Sequence, residues 1–220
     1  MRVIIFFVFI TYINHAIAQK SFITGQIQNI ETGQPIELVH VFVANTTTGT
    51  TTDENGNFSL ENLGFGYIDL VASFVGYELF VKRVQIDADK AIEILIKMTP
   101  QLVKLDEVEI SVKKDRKWER QLKRFTKEFL GTGSNARRCE ILNPWVIDFE
   151  QDDTRGLNIA SADSHIEVLN NALGYKVFFY LKHFLWGSGF ISYFGYPRFE
   201  ALQAESKQQE KEWELNRKSA

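Results

Sequence analysis

The chain has 220 residues, a formal charge of −3, 45% hydrophobic and 24% charged side chains. That balance argues against disorder and leaves room for one larger domain or two small ones. Its mild acidity gives no sign of the basic face that nucleic-acid binders carry.

Residues 1–18 read as a leader. Arg2 gives a positive start, Val3 to Ile13 is an almost unbroken apolar run, and Ala16-Ile17-Ala18 is a small-x-small cleavage pattern before Gln19. A membrane anchor needs about 20 apolar residues, and Asn14 and His15 interrupt this run first. Cleavage would remove Arg2 and no acid, taking the charge from −3 to −4. The expectation is a protein exported across the inner membrane, periplasmic or outer-membrane associated, with no membrane span left after cleavage. Cys139 is the one cysteine. No internal disulfide can form, so it is a buried small hydrophobe or a thiol for pairing between chains.

From Gln19 the pattern is that of short strands. Val39, Val41 and Val43 alternate with His40, Phe42 and Ala44; Leu79, Val81 and Val84 mark another strand; Ile92, Ile94, Ile96 and Met98 alternate with Glu93, Leu95 and Lys97. Turn signals at Thr32-Gly33-Gln34-Pro35, Asn55-Gly56, Gly64-Phe65-Gly66 and Gly76 separate them. An antiparallel sandwich of about seven strands is predicted. Asp53, Asn55 and Asn57 alternate like calcium ligands, but an EF-hand loop counted from Asp53 needs Gly and Glu where Phe58 and Gly64 stand. Asp53, Asn55 and Gly56 are therefore read as a structural turn in a hairpin.

Gly25-Gln26-Ile27, Gly33-Gln34-Pro35-Ile36, Val41-Phe42-Val43, Thr50 to Phe58, Gly66-Tyr67 and Phe74-Val75-Gly76-Tyr77 follow one another in an order that resembles the carboxypeptidase-regulatory-like domain of Bacteroidetes envelope proteins. The resemblance implies a Greek-key, transthyretin-like β-sandwich over residues 19–112, of the carbohydrate-binding-like type. In metallocarboxypeptidases this module accompanies the catalytic domain and does no chemistry. A zinc peptidase also needs His-x-x-Glu plus a distant His. His40, His165 and His183 have no Glu three residues on, and His165 with Glu167 are read as neighbours on one strand face. No catalytic residue, metal or cofactor is expected.

Leu105 to Val112 alternates as a last strand and resembles the segment before the plug of TonB-dependent transporters, which raises a transport-accessory reading. Against it, Asp115 can cap a helix in which Trp118, Leu122, Phe125 and Phe129 recur at helical spacing before Gly131. The basic face of that helix (Lys117, Arg120, Lys123, Arg124, Lys127) is read as solvated, through Glu119–Lys123 and Arg124–Glu128 pairs. Strands are then predicted over 145–149, 157–162, 165–169, 175–186 and 190–194, and a charged helix from about Glu205 with Trp213 and Leu215 as its apolar anchors.

Residues 113–220 thus form a smaller α+β unit, and the whole chain is mainly β. Phe129-Leu130-Gly131, Leu142-Asn143-Pro144-Trp145, Leu173-Gly174-Tyr175-Lys176 and Trp213 to Arg217 resemble a region following this module in other Bacteroidetes proteins, where the chain continues further; truncation after Ala220 is one expectation. Aromatics crowd both faces of residues 175–199, which points to a sandwiched core, with Tyr180, Trp186 and Tyr196 as candidates for stacking on sugar rings. The functional expectation is a non-enzymatic envelope module that interacts with polysaccharide or an outer-membrane protein. A hydrolase with scattered site residues is the remaining alternative.

Overall fold

The computed structural model describes residues 21–87, 91–101, 116–152, 154–187 and 189–219. The leader, the strand expected at 105–112 and the Asp115 cap lie outside the described residues.

Among the described residues the front unit has seven strands: β1 (Phe22–Asn29), β2 (His40–Val43), β3 (Gly49–Thr51), β4 (Asn57–Leu60), β5 (Gly66–Ser73), β6 (Phe80–Ile86) and β7 (Ala91–Met98). They form two sheets, β4-β1-β7 and β3-β2-β5-β6. Period-two alternation places Ile23 and Ile27, Val39, Val41 and Val43, and Ile94, Ile96 and Met98 between the sheets, where they are buried, while Leu95 faces out. The chain crosses from one sheet to the other four times, and β7 runs parallel to β1. An all-antiparallel sandwich was the expectation; the β6-to-β7 crossover brings β7 in beside β1 in the same direction.

The turn at residues 53–57 joins strands that do not pair with each other as a hairpin. Asp53 Oδ1 accepts the backbone N–H of Asn55 (2.9 Å) and Asn57 (2.7 Å), and Asn57 Nδ2 donates to Asp53 Oδ2 at 3.2 Å. Gly56 sits at φ 72 with its N–H on the Asp53 carbonyl. On either side, β3 pairs with β2, whereas β4 pairs with β1 in the opposite sheet. The reversal is a corner of the sandwich.

The back unit begins with α1 (Arg116–Leu130), then β8 (Cys139–Ile141), β9 (Ile147–Asp152), β10 (Leu157–Ala162), β11 (Ile166–Asn170), β12 (Tyr175–Trp186), β13 (Ile191–Ala201) and α2 (Lys207–Ser219). Among the described residues it is the larger of the two units. Its six strands make one sheet, with β12 pairing β11, β10 and β13. Helix α1 covers one face: Phe125 is fully buried against Phe184 (ring centroids 4.6 Å), and the Trp118 indole donates to the Ile147 carbonyl at 2.9 Å. Gly131, at φ 85, ends the helix with its N–H on the Lys127 carbonyl.

Helix α2 is nearly all polar and is held through a single apolar side chain. Trp213 is 4% exposed and donates to the Asn171 carbonyl, while Asn216 and Arg217 donate to the carbonyls of Ala172 and Leu173. Leu215, the other expected anchor, is exposed.

A register shift between Leu181 and His183 marks a β-bulge at Lys182. One extra residue reverses which parity faces the core. Val177, Phe179 and Leu181 pack on the α1 side before the bulge, and Phe184 and Trp186 after it. The other face carries Tyr180 and Tyr196 onto the outer face of the front sandwich, against Phe42, Ala44 and Val71.

Candidate functional site

The residues proposed from sequence for sugar stacking are occupied by protein. Trp186 is 1% exposed within the back core, edge-on to Phe149 and Phe184. The Tyr180 ring stacks on Phe42 at 5.3 Å, and Tyr196 joins the same cluster beside Phe194. The bulge accounts for this: it turns Trp186 to the helix side while Tyr180 stays on the seam between the units. Asp53, Asn55 and Gly56 stand together as the sandwich corner described above.

The seam is a continuous contact. Thr46 and Arg198 form a parallel bridge, with the Asn45 N–H on the Pro197 carbonyl (2.8 Å) and the Phe199 N–H on the Thr46 carbonyl (3.0 Å). Around it lies a charged row on one sheet face. Glu167 accepts from Lys176 Nζ (2.8 Å) and meets His165 Nε2 (3.3 Å). The hydrogen bond from Lys176, with that from His165, holds the Glu167 carboxyl below the usual carboxylate range. The Arg198 guanidinium lies 4.0 Å over the Phe178 ring. His40 faces this row, and partial burial together with the charges of Arg198 and His165 lowers its pKa, against a smaller raising effect of Glu200. His165 and Glu167 are the same-face neighbours their spacing predicts. His183 meets the Ser192 hydroxyl at 3.3 Å.

A cleft of about 200 Å³ opens between α1 and the sheet, lined by Lys117, Arg120, Gln121, Arg124, Gln151, Asn158 and Trp186. Register builds its floor. Gln151 lies opposite Asn158, and Asn158 opposite Trp186, so one row crosses β9, β10 and β12 on a single face. The adjacent row on that face, Phe149–Ala160–Phe184, is closed by Phe125; the Gln151–Asn158–Trp186 row lies beyond it, under the basic flank of α1. The Trp186 Nε1–H is buried and has no hydrogen-bond partner among the described residues.

That flank is solvated as its sequence predicts, with Lys117, Arg120, Lys123, Arg124 and Lys127 exposed, but not through the expected helical ion pairs. Neither Glu119–Lys123 nor Arg124–Glu128 is among the ion pairs between described residues. The signal that could have found the cleft is the polar pair Gln151 and Asn158 on strands whose neighbouring same-face positions, Phe149 and Ala160, are apolar.

Cys139 is half-buried, its Sγ 3.4 Å from the Asn135 carbonyl, and burial pushes its thiol up, which suits a small packing side chain. Among the described residues no three His, Cys, Asp or Glu side chains are grouped to hold a metal ion, and no helix is long and apolar enough to cross a membrane.

Residues 23–110 match the family model of the CarboxypepD_reg-like domain, so the front unit is a domain of that family. No curated protein matches the chain. Among solved structures, the group B streptococcus pilus 2b backbone protein is 15% identical over 37% of this chain and 41% of its own, with a TM-score of 0.32. A candidate carbohydrate binding protein from Bacteroides uniformis is 9% identical over 73% of this chain and 60% of its own, with a TM-score of 0.30. A candidate membrane-associated protein of unknown function from Bacteroides fragilis is 14% identical over 74% and 65%, with a TM-score of 0.30. This chain spans less than two thirds of the length of each.

Proposed function

We propose that this chain is a non-enzymatic interaction module of the cell envelope that holds a polysaccharide in the cleft between α1 and the sheet of the back unit. The observation that supports it is the polar lining under the helix: Gln151 and Asn158 on the sheet, with Gln121 of α1 opposite, set around a concavity where the back core gives way to donors and acceptors. Side-chain amides both donate and accept, as sugar hydroxyls do, and such pairing in a shallow cleft orients a saccharide. The front domain serves as the platform that fixes this unit through the seam. Export, inferred from residues 1–18, would bring the cleft to envelope glycans.

The test is affinity electrophoresis of the folded chain through gels containing neutral or acidic polysaccharides. Retardation by at least one, lost in a Gln151→Ala/Asn158→Ala variant of unchanged circular dichroism, is expected. Unretarded migration in every gel would overturn the reading.

A further inference from the structure

Resting on that reading, we infer that the cleft selects an acidic saccharide, taking its carboxylate, sulfate or phosphate group between Arg120, Arg124 and the indole N–H of Trp186. The donor inventory carries this. Lysine, arginine and the indole nitrogen donate hydrogen bonds and accept none. Arg120 and Arg124 therefore give the helix wall of the cleft donors alone, the Trp186 indole adds a donor from the floor, and no carboxylate is among the described residues that line the cleft. A sugar hydroxyl both donates and accepts, so against this wall its own proton is wasted. An anionic group has only acceptor oxygens and uses every donor it meets.

Two further features point the same way. Arg120 and Arg124 are four residues apart on α1, which sets two like charges side by side on the helix surface. Neither is in an ion pair between described residues. An anion placed between them relieves that repulsion through charge-assisted bonds, for which the planar guanidinium fork is well shaped. The Trp186 N–H, meanwhile, is a buried donor without an acceptor among the described residues, a condition that native interiors rarely tolerate. Trp186 is among the residues at the cleft floor, and a ligand oxygen reaching its indole would recover the lost bond. The amide row beside it remains to pair with neutral hydroxyls, so the acidic group and the sugar ring are read by different sides of one cleft.

The test uses the full chain and three polymers of one backbone: dextran, carboxymethyl dextran and dextran sulfate. Binding is measured by calorimetry for the wild type, for Arg120→Gln/Arg124→Gln and for Trp186→Phe, which keeps an aromatic ring but removes the donor. The charged polymers are expected to bind at least about tenfold more tightly than dextran, the size of effect that charge-assisted contacts give. The double variant should lose that margin, Trp186→Phe should lose part of it, and added salt should weaken it. The two charged arms tell a carboxylate site from a sulfate or phosphate site. Equal affinity for dextran and its charged derivatives would overturn the inference while leaving polysaccharide binding standing. Tight binding of a charged polymer that both variants retain would overturn it as well. Failure of all three polymers overturns it too, and the wider gel panel then decides whether polysaccharide binding falls with it.

Discussion

Gly174 shows how much one position can decide. Its φ of 71 lies in the left-handed region, and a Cβ there would collide with the Trp213 indole. Glycine is required twice over, once by the backbone of the turn between β11 and β12 and once by the close seat of α2 on that turn. Gly174→Ala is expected to cost about 1–2 kcal/mol from left-handed strain alone, and more from the collision. The two parts separate by urea denaturation in a second background. With Trp213→Ala present, itself costing about 3–5 kcal/mol, only the strain part should remain, so the two substitutions should be less than additive. Strict additivity would show that Trp213 does not rest on Gly174. A break between the strands expected at 165–169 and 175–186 was visible in the sequence; the role of Gly174 as the seat of a distant helix was not, because that contact joins residues some forty positions apart.

At the scale of elements, the bulge in β12 organises the back unit. Deleting Lys182 would restore strict alternation through Tyr175 to Trp186 and send Phe184 and Trp186 to the seam face, away from Phe125. Loss of the near-ultraviolet signal of the packed aromatics is expected for the deletion. Lys182→Ala keeps the extra residue and should leave that signal intact; if the deletion behaves like the substitution, Lys182 is not what sets the register. The same element marks the boundary of what periodicity could tell. Helix α1 and strand β11 are legible because their core positions recur with one period from end to end. A bulge breaks the period by one residue and leaves no composition signal, so Trp186 reads as a surface candidate although it lies in the core. Phe42 and Ala44 did carry a signal. They make residues 39–44 apolar on both faces save for His40, as a strand buried from both sides must be, and the second face awaited the back unit. The cleft was hidden for a related reason, since its floor comes from three strands and its wall from a helix.

At the scale of the whole molecule, the seam makes stability depend on pH. His40 lies on the front unit and faces Arg198, His165 and Glu200 of the back unit. Burial first, then the charges of Arg198 and His165, lower its pKa below the ordinary 6.5. A base with a depressed pKa in the folded state favours folding while it is neutral, so its contribution is complete above about pH 6.5 and is lost as pH falls through the depressed value. Glu167 follows the same direction at lower pH: its carboxylate, held by Lys176 and His165, stabilises the fold above the ordinary carboxylate range and ceases to do so as it is protonated. Two acid-side losses are therefore expected in sequence, the first from the seam and the second from the charged row behind it. Melting curves of the wild type and of His40→Asn between neutral and mildly acidic pH separate them. The wild type should lose melting temperature faster than the variant just below pH 6.5, and the two should run in parallel below that. Identical slopes throughout would mean that protonating His40 does not strain the contact between the units, which then rests on the aromatic packing around Phe42 and Tyr180 and on the backbone bridge at Thr46 and Arg198.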